Sequence, residues 1–213
     1  VKLLNKILLI SSVIGLISCQ ENADTSQVIP KTTDAVIDST RFMTSDEVES
    51  YIYPIDTVVL GDINSDKISD TVFINEPSII EEEMTCRDDV CKTQFIFSGG
   101  KIPSFGREQA LGGVIGNAGD LDDDGICEIY FVPDWFTSSW TAFVIYRLSN
   151  NEWKEIANAS VRREDWVDEK DKLYLPYQKR IAKHNKEYFE LIENVMDDEG
   201  NEHLFPKKFY FTK

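Results

Sequence analysis

From about residue 48 onward the apolar residues fall in short runs rich in β-branched and aromatic side chains, at residues 57–60, 70–74, 93–97, 128–132 and 142–148. Runs of this length and make-up predict strands, not amphipathic helices. The motifs Ser98-Gly99-Gly100, Leu111-Gly112-Gly113 and Ser149-Asn150-Asn151 separate them as turns, which predicts an antiparallel all-β domain. Residues 178–196 are ambiguous, because Ile181, Tyr188, Ile192 and Val195 also suit a helix; a strand over 187–193 is favoured. Residues 20–46 are dominated by Ser, Thr, Asp, Gln and Glu, too polar to offset the entropy of ordering, and read as a tether. Ahead of them, Lys2 and Lys6 precede an uncharged apolar stretch over 7–17, too short for a spanning helix and suited to a secretory signal.

One polar pattern occurs twice. Gly61-Asp62-Ile63-Asn64-Ser65-Asp66-Lys67-Ile68-Ser69-Asp70 and Gly119-Asp120-Leu121-Asp122-Asp123-Asp124-Gly125-Ile126-Cys127-Glu128 lie 58 positions apart, and each runs into an apolar strand, so the repeats cover 61–74 and 119–132. Oxygen side chains stand at loop positions 1, 3, 5 and 9, with isoleucine at position 7 whose carbonyl can turn inward. Calcium takes six to eight hard oxygens, and alternate side chains of a tight loop supply most of them. The loops are not EF-hands. Position 12, where an EF-hand places a bidentate glutamate, is Phe73 in one copy and Phe131 in the other.

A calcium loop leading straight into a strand resembles the FG-GAP or VCBS repeat of β-propellers and bacterial surface proteins. The resemblance implies one ion on Asp62, Asn64, Asp66, the Ile68 carbonyl and Asp70. It implies a second on Asp120, Asp122, Asp124, the Ile126 carbonyl and Glu128. One or two calcium ions are therefore expected as structural cofactor. The first copy departs from the pattern at Lys67, where glycine is preferred. A blade takes about 40–60 residues, so residues 47–213 hold three or four blade-like sheets. A small or incomplete β-propeller is expected, with a β-sandwich carrying two calcium-loop hairpins as the alternative.

Leu16-Ile17-Ser18-Cys19 resembles the lipobox of bacterial lipoproteins. The resemblance implies cleavage after residue 18, a lipid on Cys19 and a membrane anchor, at the outer membrane facing the periplasm or the exterior. The chain then divides into a signal peptide (1–18), a lipidated cysteine with its tether (19–46) and a β-rich domain (47–213). Removing the signal takes two lysines and no acid, so the formal charge moves from −16 to −18. This acidity excludes nucleic acid as a partner class and suits calcium or a basic protein. Cys86 and Cys91 close a hairpin-like stretch, where a bridge and two separate thiols are both open. Cys127 reads as a small buried hydrophobe.

Trp135, Phe136 and Trp140 place three large aromatics in one polar segment, either a recognition surface for a protein or glycan, or rings that close the core. No catalytic set stands out. Ser138 and Ser139 lack a nucleophile-elbow context, His184 and His203 sit in charged surface-like sequence, and the acids at 81–83 and 88–89 read as solvated loops. The expected function is therefore a non-enzymatic, calcium-stabilised, lipid-anchored binding or structural protein of the cell envelope. One alternative is an inhibitor of a lysozyme-type peptidoglycan hydrolase, although Ser98-Gly99-Gly100 lacks the following tyrosine that such inhibitors insert. The other is a glycan-active enzyme.

Overall fold

The computed structural model describes residues 55–87, 90–168 and 170–211. The signal, the Cys19 motif, the tether and the acidic pair 88–89 lie outside the described residues. Among the described residues thirteen strands form antiparallel sheets, with four short 3-10 turns in the connections. The first sheet contains β1 (Ile55–Gly61), β2 (Asp70–Asn75), β5 (Lys92–Phe97) and β6 (Phe105–Glu108), in that order. A two-stranded ribbon, β3 (Ile79–Ile80) and β4 (Thr85–Cys86), is inserted between β2 and β5. The second sheet is a meander of β7 (Gly113–Gly119), β8 (Glu128–Pro133), β9 (Trp140–Ser149) and β10 (Glu152–Arg162). The third contains β11 (Ile181–Asn185), β12 (Tyr188–Met196) and β13 (Glu202–Tyr210). The ambiguous segment resolves into a 3-10 turn, Tyr177–Arg180, followed by β11 and β12.

The three sheets stack face to face, and the middle one is covered on both sides. Alternation along β8 makes this possible. Ile129 and Phe131 point into one core with Phe95, Phe97, Val72 and Trp153, whereas Tyr130 and Val132 point into the other with Phe143, Ile145, Phe189 and Leu191. A strand buried on both faces carries a continuous apolar run, and all six residues of β8 are buried. In the first sheet, covered on one face only, β5 alternates instead, with Thr93, Phe95 and Phe97 inward and Lys92, Gln94 and Ile96 outward. Aromatic contacts knit the first core: Phe95 meets Phe131 edge-on at 4.7 Å, and Trp153 stacks on Phe97 at 5.5 Å while donating to the Pro103 carbonyl. β9 and β10 are joined through Asn150 and Asn151, both with positive φ, as a two-residue hairpin turn demands.

The internal repeat is a structural repeat. Each four-stranded sheet opens with a hairpin, β1–β2 or β7–β8, whose connection is one of the two acidic loops. Each has a bulge at the same place, between Val59 and Gly61 or between Asn117 and Gly119. The third sheet has no such loop; β11 and β12 are joined by a tight turn at residues 185–188. Cys86 and Cys91 form a disulfide. Cys127 is fully buried in the first core, as expected of a small hydrophobe, but no described cysteine is a free thiol.

Candidate metal centre

The two loops adopt one conformation. Positive φ values occur at Gly61, Ser65 and Lys67 in the first copy and at Gly119, Asp123 and Gly125 in the second, three matched pairs. The hydrogen bonds match as well. Asp62 accepts from the amides of Asp66 and Lys67, and Asp120 accepts from those of Asp124 and Gly125. Position 5 accepts from the amide of position 7 in both, Asp66 from Ile68 and Asp124 from Ile126. Position 9 reaches back to the buried residue at position 2, Asp70 accepting from Ile63 at 3.0 Å and Glu128 from Leu121 at 2.7 Å. Short acidic side chains thus fold the backbone around themselves, and in the second loop their oxygens also converge.

The copies differ in how far that convergence goes. In the second loop Asp120, Asp122 and Asp124 each offer an oxygen within 4.8 Å of the others; among the described residues this is the one group of three acids, histidines or cysteines that does so. Glu128 closes the floor. It is 1% exposed, one oxygen takes the Leu121 amide, and the other, Oε1, is buried with no hydrogen-bond partner. Burial, together with the charges of Asp122, Asp124 and Asp120, pushes its carboxyl up to about 8. Burial and Asp124 likewise raise Asp122. A buried acceptor without a hydrogen bond costs about 1–3 kcal/mol, offset here only in part by Arg147 Nε at 4.0 Å, and clustered carboxylates repel. A hard divalent cation relieves both. With oxygen donors alone and no thiolate or imidazole, the set fits calcium or magnesium rather than zinc.

In the first loop position 3 is Asn64, and its amide nitrogen is 3.4 Å from Asp66. Lys101 holds Asp66 at 2.8 Å and keeps that carboxyl below its usual range. Asp70 is buried, which raises it. Lys67 has φ +69° where Gly125 has +90°, so the position flagged in sequence does require the left-handed conformation that glycine favours. The Ile68 and Ile126 amides are tied to the loop acids as described, while the Ile68 side chain is exposed.

The sequence reading missed the cations. Arg147 on β9 contacts Asp122 at 2.5 Å and Asp124 at 3.2 Å, and its Nε lies 4.0 Å from Glu128 Oε1. Lys183 on β11 meets the Asp120 carbonyl and Asp123. The strand register carries the missing signal: Ile129 pairs with Tyr146, so the next step along the hairpin sets Arg147 opposite Glu128. The loops also touch each other. The Cys127 amide donates to the Ile63 carbonyl at 2.8 Å, Ser65 donates to the Gly125 carbonyl, and the Asn117 side chain donates to the Leu60 carbonyl at 2.8 Å.

The aromatic candidates divide. Trp135 is 37% exposed and meets Phe136 edge-on at 5.1 Å. Both line a cleft of about 390 Å³ together with Ile79, Met84 and Leu111. Trp140 is not among its walls; the Arg162 guanidinium lies 5.0 Å over its ring. Ser138 bonds the Trp140 backbone, and Ser139 accepts from Arg162. His184 pairs with Glu190 and stacks on Tyr188, and His203 pairs with Asp197, both on the third sheet. Among the described residues no helix is long and apolar enough to cross a membrane. No family model, no curated protein and no solved structure matches the chain.

Proposed function

We propose that residues 47–213 form a non-enzymatic binding domain of the cell envelope, stabilised by calcium and carried on a lipid at Cys19. The observation that supports this most is the convergence of Asp120, Asp122 and Asp124, together with a buried Glu128 whose Oε1 accepts no hydrogen bond and has Arg147 Nε at 4.0 Å. An acidic turn that is merely solvated leaves its carboxylates in water; this one holds a carboxyl inside the fold, where a cation is the fitting partner. Asp120, Asp122, Asp124 and Glu128 would hold the ion, with the Ile126 carbonyl as a further ligand. The first loop, held by Lys101 and interrupted by Asn64, is the weaker site. Bound calcium supplies charge compensation and fixes the angle at which β8 enters the sheet. The three stacked sheets are read as consecutive blades of an incomplete β-propeller, a reading supported by the recurrence of the loop hairpin at the head of the first two.

The test is thermal unfolding of the full chain. Extracellular-type sites bind at about 0.1–1 mM, so 10 mM calcium stabilises by roughly 1.4–2.7 kcal/mol and raises Tm by about 3–10 °C. Asp120→Ala combined with Asp124→Ala removes the shift. Equal melting in calcium and in chelator contradicts the proposal. The anchor is checked separately, by mass spectrometry of the protein from native membranes, which should find diacylglycerol on Cys19.

A further inference from the structure

The cleft beside Trp135 is open to solvent and lies between two segments, each tied down by the fold. One wall is the ribbon β3–β4, which supplies Ile79 and Met84 and is tied at its end, Cys86, to Cys91 just ahead of β5. The opposite wall is the turn after β8, with Trp135 and Phe136. Arg163 pins that turn: it donates to the Trp135 carbonyl at 3.2 Å and pairs with Asp134 at 3.2 Å and with Asp165 at 2.8 Å. Backbone bonds from Leu111 to the Asp134 carbonyl and from Asp134 to the Gly112 carbonyl fix its base. Ile79, Met84 and Trp135 are 41%, 49% and 37% exposed, so three large apolar side chains face solvent across one cleft. Walls already held in place cost less entropy when a partner docks.

Acids outnumber bases beside the cleft. Arg163 is shared by Asp134 and Asp165, and the ribbon that carries Met84 also carries the exposed Glu82 and Glu83 against one exposed cation, Arg87. Glu76 packs where a side chain on Gly112 would stand, and burial with the charges of Asp56 and Asp134 pushes its carboxyl up. These acids sit on a chain of net charge −16. Each guanidinium nitrogen of Arg163 is already engaged by Asp165, Asp134 or the Trp135 carbonyl, so the cation of the cleft is spent, whereas an apolar side chain needs no free donor.

We infer that this cleft receives a basic segment of a partner protein, which buries one large apolar side chain between Trp135 and Met84 while its Lys or Arg residues meet the acids beside the cleft. The inference deepens the binding reading above and rests on it. The contact would follow the usual plan of an apolar anchor inside a charged rim, with the rim setting salt dependence and partner sign.

The experiment pans a random peptide library against the full chain in calcium and then measures a synthetic copy of the enriched peptide. The enriched peptides should carry at least two Lys or Arg flanking one Leu, Ile, Phe or Trp. Trp135→Ala and Met84→Asp should each weaken binding about tenfold or more. Thr137→Lys, an exposed change that leaves the apolar walls intact, should weaken it similarly and less so at high salt. Phe205→Asp on the third sheet, also at an exposed apolar residue, should have no effect. Selection of acidic peptides, binding indifferent to Trp135 and Thr137, or a glycan array whose hits depend on Trp135 would each overturn the inference. Melting with and without calcium is recorded on the same samples. A chain that ignores calcium yet selects basic peptides sinks the calcium reading and keeps the cleft; a calcium-stabilised chain that selects none does the reverse.

Discussion

At the scale of single residues, the second loop is a balance between five acids and two cations, Arg147 and Lys183. Arg147 lies against the carboxylates that an ion would engage, so it is both a partner of the loop without calcium and a competitor of calcium. Arg147→Ala should therefore tighten calcium binding, by roughly tenfold at most given the screening of a partly exposed pair, and lower Tm in chelator. Calorimetry showing weaker calcium binding in this variant would make Arg147 a support of the site instead. Lys67 is the other informative residue. A β-carbon in the left-handed region costs about 1 kcal/mol, while glycine gives part of that back through the entropy of the unfolded chain. Lys67→Gly should raise stability by about 0.5–1 kcal/mol in denaturant titration, and a loss would mean that the lysine side chain holds the loop. Lys67 was legible in the sequence because the copies could be laid side by side. Arg147 and Lys101 were not, because their approach depends on strand register and on sheet stacking.

Elements show where patterning was readable and where packing overrode it. The five apolar runs all lie in strands, since each alternates or is continuously apolar. β7 was harder to read: Gly113, Gly116 and Gly119 break its run of side chains. The reason is contact, because a Cβ on Gly116 would stand 2.3 Å from the Tyr130 ring of the neighbouring strand. The short ribbon β3–β4 has too few residues for a period, and its disulfide could not be decided from spacing alone. Closing so short a loop is worth about 2 kcal/mol in the chain-entropy account. Cys86→Ser with Cys91→Ser should lose about that much in urea titration and should free the wall that bears Ile79 and Met84. An unchanged midpoint would mean that the ribbon is held by its packing alone.

For the whole molecule, the three-layer stack follows from one strand being apolar on both faces, and the two loops lie side by side because the sheets that bear them stack. That adjacency, carried by the Cys127–Ile63 and Asn117–Leu60 bonds, lets an ion in the second loop stiffen the first. The repeat was visible in the sequence; of the loop-free third sheet, which contributes Lys183, only β12 was, because its strands share no motif with the other two. The account as a whole rests on the second loop being a calcium site. Isothermal titration of calcium into the chelator-treated full chain tests this most directly. The account predicts saturable binding in the range of about 0.1–1 mM that disappears in the Asp120→Ala, Asp124→Ala variant. No saturable heat up to 10 mM calcium, or equal binding by that variant, would contradict it.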